Sequence, residues 1–425
     1  MKLKLYRTIL IFIGFFLVAS NQEKCISSYS PEALGTSLEG LLEVSFQLNP
    51  DLAALSLEAE SMHAKAEAAG ALGDPMLKLE MMDITRRESS LMPGSPSTLK
   101  YSITQSFPLW GKRDLIKKMA NLDAKRAKEL HLSFKQDLQT RVKAVFAEYY
   151  QVAHSLKILK DVQAYSEQIL KIAQISYSQG TGGQQEIVRI EVELTRIQTD
   201  YVHLEQALKR IQARLNMLLN RTLLAPLALP SFLPPLPQWD KIALVKLIEK
   251  AHTHNPLITS HEIEIASNKA GQDLVEKSWY PDITVGIGAV DNKRRFSGYE
   301  AMISVNIPIE WSARQSQERE AALNTLTSKK RLESLKTRLQ GEIEEAIASL
   351  VASIKTEKIL KERLIPQVKL SLDSSLAEYE VEQKNFLQLL EALVTFKKTH
   401  LDLLNIQAEK YKQVAEIERL IGESL

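Results

Sequence analysis

Residues 187–218 run IVRIEVELTRIQTDYVHLEQALKRIQARLNML. Ile187, Ile190, Leu194, Ile197, Tyr201, Leu204, Leu208, Ile211, Leu215 and Leu218 return at alternating steps of three and four. A helix turns once in about 3.6 residues, so this spacing draws one apolar seam along a helix that faces a partner helix. Upstream, the 68 residues between Gly111 and Gly180 hold neither glycine nor proline. That is enough for about 100 Å of helix at about 1.5 Å per residue. Within it Leu138, Val142, Val145, Tyr149, Val152, Leu156 and Leu159 keep the same heptad spacing. Gln179-Gly180-Thr181-Gly182-Gly183 supplies a glycine-rich reversal between the two. The pair reads as an antiparallel coiled-coil hairpin.

The chain repeats this plan. Asn49-Pro50 returns as Asn255-Pro256, Pro75 as Pro281, and Tyr177 as Tyr379. Pro108-Leu109-Trp110 returns, with one inserted residue, as Pro308-Ile309-Glu310-Trp311. The order in each half is helix, two short strands, two long helices. Pro226, Pro230, Pro234, Pro235 and Pro237 mark a stiff connector between the halves. The expected organisation is a signal peptide over 1–20 and a first repeat over 21–220. That repeat holds strands near 76–84 and 99–109 and long helices at 112–179 and 184–220. A Pro-rich linker follows over 221–240, then a second repeat over 241–425. Its strands fall near 282–290 and 300–309 and its long helices at 312–380 and 386–421, with irregularities expected at Gly341 and Pro366. The second reversal falls near Glu382–Asn385, and Phe386, Leu389, Leu393, Phe396, His400 and Leu403 form the returning seam.

The strand segments alternate. Ala301, Ile303, Val305, Ile307 and Ile309 alternate with Met302, Ser304 and Asn306; Ile283, Val285, Ile287 and Ala289 with Thr284, Gly286 and Gly288. Tyr101, Ile103 and Phe107 alternate with Ser102, Thr104 and Ser106, and Leu77, Leu79 and Met81 with Lys78 and Glu80. The pattern fits a barrel wall between lipid and water, and equally a soluble sheet with one buried face. Strand number separates the two: four strands cannot close a barrel, and lipid does not tolerate open edges. If these strands lie in a membrane, several chains share one barrel. Trp110 and Trp311 follow strand ends, where aromatic side chains anchor a barrel at the membrane interface or pack a strand–helix junction. The segments 83–98 and 291–299 are polar, as loops on the outer face would be.

Lys2, Lys4 and Arg7, the apolar run Ile9–Val18 and Val18-Ala19-Ser20 read as an export signal with the mature chain starting near Asn21. Cys25 is the only cysteine, so no intrachain disulfide framework exists; an acylated Cys25 is the alternative use. The net charge of +2, with 25% charged residues, lacks the basic footprint of a nucleic-acid binder. His252, His254 and His261 match no zinc spacing, His400 lies on a heptad seam, and Met81-Met82 reads as wall packing rather than a copper site. No catalytic constellation stands out, so neither an enzyme nor a cofactor is expected; no phosphate loop is present, so energy must come from a partner.

Taken together, the chain resembles the TolC family of outer-membrane efflux proteins from about residue 37 onward. The marks are Gln105-Ser106-Phe107-Pro108-Leu109-Trp110-Gly111-Lys112-Arg113, the Tyr177-to-Gly180 turn, Tyr379-Glu380-Val381 and Phe386-Leu387-Gln388-Leu389-Leu390-Glu391-Ala392. Phe107–Arg113 is most similar to the cobalt–zinc–cadmium branch. The resemblance implies a mainly α fold with a small membrane β part. It implies a homotrimer forming a 12-stranded β-barrel and an α-helical periplasmic tunnel in the outer membrane of a diderm bacterium, in contact with outer-membrane lipid. It implies an exit duct of a tripartite efflux or secretion system, joined to a periplasmic adaptor (a membrane fusion protein) and an inner-membrane pump, for heavy metals or drugs. The adaptor would dock at Gly180, Thr181, Gly182 and Gly183 and at Glu382 and Gln383, where Glu382 replaces the family's usual glycine. Alignment through Tyr379 puts the pore gate at Gln388 and Glu391. The competing expectation is a periplasmic coiled-coil structural or adhesion stalk, which explains the heptads but not the paired strands.

Overall fold

Residues 34–84, 96–236, 244–292, 295–382 and 385–425 are described by a computed structural model. The expected signal peptide, Asn21 and Cys25 lie outside them, as does Gln383.

Two short helices open the described chain, α1 (Leu38–Leu48) and α2 (Pro50–Ala68). Strands β1 (Met76–Ile84) and β2 (Pro96–Phe107) follow, then the 67-residue α3 (Lys112–Ser178) and α4 (Gln184–Leu218). The order then runs again: α5 (Leu244–His254), α6 (Pro256–Lys277), β3 (Ile283–Asn292) and β4 (Arg295–Val305). The last helices are α7 (Trp311–Ile359), α8 (Ile365–Glu382) and α9 (Phe386–Ile421), with a π-helical turn, Leu360–Leu364, between α7 and α8.

The recurring Asn-Pro pair has a local explanation. Asn49 Oδ1 accepts from the Leu52 amide at 3.0 Å, and Asn255 Oδ1 from the Leu257 and Ile258 amides at 2.9 and 3.3 Å. Each asparagine satisfies amides at the start of a helix, and the following proline takes the first helical position, where no N–H is needed.

The chain folds as two compact units that cut across the duplication. One takes the described residues of Met1–Leu52, Lys135–Ala251 and Gly341–Leu425; the other takes Ala53–Phe134 and His252–Gln340. Each unit therefore draws on both repeats, because the β2–β3 pairing and the packing of one long hairpin on the other join residues from the two halves.

The second unit carries the sheet. Its order is β1-β2-β3-β4, all antiparallel. Strand β4 runs Arg295–Val305 rather than over 300–309; Pro308 has no amide to donate to a ladder and stops it. Strand β2 starts at Pro96, three residues before the expected start.

The first unit is helical. The α3 seam residues Leu138, Val142, Val145, Tyr149, Val152 and Leu159 are buried. The buried Tyr149 hydroxyl donates to the carbonyl of Ala228 at 3.1 Å and accepts from Gln212 Nε2 at 3.1 Å. That bond fixes the proline-rich connector to the α3–α4 hairpin. Burial raises the Tyr149 pKa, so the phenol stays a donor. Helix α7 passes through Gly341 without a break, against expectation. A helical glycine costs about 1 kcal/mol relative to alanine, which neighbouring packing exceeds. The irregularity falls instead at Leu360–Leu364, just before Pro366. A proline in a helix removes an amide and crowds the preceding turn, and a π turn relieves both.

Candidate functional site

The sheet has two chemically opposite faces. Register places Leu77, Ile103, Ile287 and Ala301 in one row, and Leu79, Tyr101, Ala289 and Tyr299 in the next. Val285 and Ile303 extend that face. Leu77 is 74% exposed, Ile287 68% and Ile303 74%. A continuous exposed apolar face of this kind marks a surface that meets protein, membrane or ligand. The other face carries Lys78, Glu80, Lys100, Ser102, Thr104, Gly286, Gly288 and Glu300. Among the described residues β1 and β4 each pair on one side only, so two strand edges are open.

Aromatic side chains gather where strands meet helices. Trp110 Nε1 donates to the Pro281 carbonyl at 2.8 Å, and its ring lies 5.2 Å from Tyr280. Its backbone is left-handed, φ 63°, followed by Gly111 at 77°. Lys112 Nζ donates to the Tyr280 carbonyl and to Asp282 Oδ1, both at 2.8 Å, which locks the junction. Trp311 meets Trp279 edge-on at 5.6 Å, and Trp279 Nε1 donates to Glu318. Trp110 and Trp311 remain 52% and 67% exposed, so each both packs a junction and presents a ring outward. The sequence singles out Trp110 and Trp311 but not Trp279 and Tyr280. The signal for them was present: they immediately precede Pro281, the repeated strand-opening proline.

The turn after α3 is built by hydrogen bonds. Gly180 N–H donates to the Tyr177 carbonyl and Thr181 N–H to that of Ser176, both at 3.0 Å. Gly180 takes the left-handed conformation that this helix-ending motif requires, φ 74°. At Gly182 a Cβ would stand 2.9 Å from the Ser176 Cβ, so glycine is needed there for space. Gly183 carries neither demand: its φ is −95°. The second turn differs. Glu382 is still helical, the last residue of α8, and the left-handed residue is Asn385, φ 63°. Asn385 Nδ2 donates to Glu378 Oε1 at 2.8 Å, which steadies it.

Close to both turns, the hairpins share one core. Ile169, Ile190 and Ile197 of the first pack with Leu372, Tyr379, Phe386, Leu389 and Leu393 of the second. Polar ties cross the same boundary. The Tyr379 hydroxyl donates to Glu186 Oε2 at 2.8 Å. Lys397 Nζ reaches Glu193 Oε1 at 2.8 Å and Asp200 Oδ2 at 3.5 Å, and Glu193 is only 4% exposed. Burial first, then the hydrogen bond and charge of Glu186, holds the Tyr379 pKa well above a phenol's ordinary value.

Gln388 and Glu391 sit on the opposite side of α9. Both are exposed, in a stripe with Leu387, Val394, Thr395 and Lys398, while Leu389, Ala392 and Leu393 are buried. The core side of the helix is thus filled from within the chain, and the Gln388–Glu391 side is free to face something else.

Farther along the hairpin, Glu357 is buried beside the π turn. It accepts from Lys361, from Lys410 and from Gln407 Nε2. Burial alone would raise its pKa, but these bonds outweigh it and bring it to about 2. Elsewhere, His252 and His254 are exposed at the end of α5, and His261 Nδ1 lies 3.3 Å from Glu264. His400 stacks against Phe396 at 4.1 Å. Among the described residues no three His, Cys, Asp or Glu side chains converge as metal ligands. No described helix is long and apolar enough to cross a membrane.

Known proteins share this arrangement. The profile of the family described as "Outer membrane efflux protein" matches residues 41–221 and 247–423, most of the chain. The chain belongs to the outer membrane efflux protein family. Those two stretches leave only 222–246 unmatched between them, around the proline-rich connector. The cobalt-zinc-cadmium resistance protein CzcC of Cupriavidus metallidurans is 24% identical over 179 residues, which is 42% of each chain. The match thus spans less than half of that relative's length. Crystal structures of CusC superpose with a TM-score of 0.80 at 14% identity, covering 91% of this chain and 92% of that one. VceC of Vibrio cholerae gives 0.77 at 13% identity, covering 91% and 96%. The open-state MtrE outer membrane channel of Neisseria gonorrhoeae gives 0.70 at 16% identity, covering 94% and 93%. This efflux protein therefore has the fold of outer membrane channels. Its family is one of efflux channels, and the stalk reading, which had no use for an exposed apolar sheet face, gives way.

Proposed function

We propose that the chain is one of three identical protomers of a passive exit duct in the outer membrane of a diderm bacterium. The observation that carries this reading is the sheet: one face apolar and exposed, the other charged, and both edges open among the described residues. Lipid satisfies the first face and water the second, and only further copies satisfy the edges. Residues 1–20 direct export, and the exposed rings of Trp110 and Trp311 anchor the barrel at the membrane interface. The helical hairpins extend the duct into the periplasm. The Gly180–Gly183 turn and the turn after Glu382 receive a periplasmic adaptor, through which an inner-membrane pump supplies the energy.

The cargo class we favour is a divalent heavy-metal cation. The name of the relative CzcC supports it, as does the form of Phe107–Arg113. In this reading the free face of α9 lines the duct. Glu391 repeated about a three-fold axis makes a carboxylate ring that favours cations, and Gln388 one turn away adds none. Repulsion between the three carboxylates, roughly 0.7 kcal/mol per pair at about 6 Å in water, opposes tight closure there. The test is planar-bilayer conductance. The unmodified protein should prefer cations, and Glu391→Lys should reduce or reverse that preference. An unaltered preference would remove Glu391 from the gate.

A further inference from the structure

The charged face of the sheet carries a feature that the duct alone does not require. Lys100 Nζ on β2 meets Glu300 Oε2 on β4 at 2.8 Å. These strands are not neighbours; β3 runs between them. Ser102 and Glu300 both stand opposite Gly288, one on each side of β3, and Lys100 pairs in register with Val290. The lysine therefore lies down across β3 beside Gly288. That position has no room for a side chain: a Cβ there would come within 2.8 Å of the Tyr101 carbonyl oxygen and 3.0 Å of the Ser102 Cβ. Gly286, two residues earlier, is filled by its neighbours, with Thr104 Cγ2 at 2.9 Å and the Met302 methyl at 3.3 Å from a hypothetical Cβ. Alongside, Lys78 pairs with Glu80 on the same strand. The four charged side chains line one small pocket.

We infer that Lys78, Glu80, Lys100 and Glu300 form a self-neutralised belt in the barrel wall, with Gly288 clearing the path for its long cross-strand ion pair. The inference rests on the duct reading and names a second station for ion selectivity within it. Its chemical logic is that of an exit. A charged solute that has passed the helical end must leave, and a ring of unpaired charge would either hold it or repel it. Two cations and two anions per chain, paired in the plane of the sheet, give neither trap nor barrier. Charge discrimination then falls to α9, and the barrel passes small ions of either sign.

Reversal potentials in a potassium chloride gradient across planar bilayers test the belt, with the full-length protein purified in detergent. Lys100→Gln frees one carboxylate per chain and should raise the potassium-to-chloride permeability ratio by at least about two-fold. That is the effect of one unit charge at about 10 Å in water. Glu300→Gln frees one ammonium and should lower the ratio by a similar factor. The exchanged pair Lys100→Glu with Glu300→Lys restores neutrality and should return the unmodified ratio, which also controls for folding. Single variants that leave the ratio unchanged, or that shift it in the same direction, would overturn the belt. So would an exchanged pair that conducts with a shifted ratio. A protein that inserts and conducts in none of these forms, the unmodified one included, would contradict the duct rather than the belt.

Discussion

The sheet and the paired hairpins use the same side chains in opposite ways. In the hairpin core Leu389 and Leu393 are 0% exposed, whereas on the sheet Leu77 and Ile303 are each 74% exposed. Both regions follow a strict apolar period, of two residues in the strands and of three and four in the helices. The helices find their apolar partners within the chain. The sheet does not, and its exposed face is where an environment other than water has to be supplied. Periodicity thus records that a face is apolar, and only the fold reveals whether the chain itself covers it.

The largest effect on the amount of assembled protein should come from charging the sheet's apolar face. Ile287→Lys places an ammonium at mid-strand, where the cost in a barrel is about 2–4 kcal/mol per chain. We expect the protein to vanish from the outer membrane fraction, measured by quantitative immunoblot. Thr104→Lys on the opposite face should leave its level nearly unchanged. Equal tolerance of the two would erase the distinction between the faces.

Within the hairpins, Leu389→Ala should cost about 2–5 kcal/mol, since it opens a cavity among fully buried neighbours. Leu387→Ala, two residues away and 59% exposed, should stay within about 0.5 kcal/mol. Thermal unfolding in detergent measures both. Comparable losses would mean that Leu387 is covered by a partner and does not belong to the free face of α9.

Much of this contrast was legible in the sequence. The seams of α3 and α9, the reversal at Gly180 and the alternation of the strands are local patterns, and local patterns survive in a linear text. What was not legible depends on partners far apart in the chain. Lys397 meets Glu193 and Tyr379 meets Glu186 across about 200 positions, and no spacing rule links them. The Lys100–Glu300 pair needs the register of three strands. The second reversal falls within Glu382–Asn385 as the sequence implies, but with no glycine there the sequence does not say which residue turns left-handed; it is Asn385, a residue type whose short polar side chain tolerates that conformation. Gly341 stays helical because packing outweighs propensity, while Pro366 disturbs the helix because a missing amide cannot be packed away.

Acid should reveal the Lys410–Glu357 pin beside the π turn. Hydrogen bonds from Lys361, Lys410 and Gln407, outweighing burial, bring the Glu357 carboxyl to about 2 in the folded chain, below its ordinary 4.5. The stabilisation it contributes is therefore complete above pH 4.5 and is lost as pH falls toward 2. Denaturation midpoints measured across that window should drop, and Glu357→Gln should flatten the dependence. A midpoint that does not change in the unmodified protein would contradict this.

The smallest difference is expected between two glycines of one turn. Gly180→Ala forces a left-handed residue and should cost about 1–2 kcal/mol. Gly183→Ala, at φ −95°, should be neutral within about 0.5 kcal/mol. Equal effects on unfolding would argue that the turn is held by something other than its backbone geometry.

In the duct we propose, further copies of the same chain close the open sheet edges. The mass of the detergent-extracted protein, measured with bound detergent subtracted, counts those copies. Three chains per particle are expected. A single chain that still conducts ions in a bilayer would contradict it.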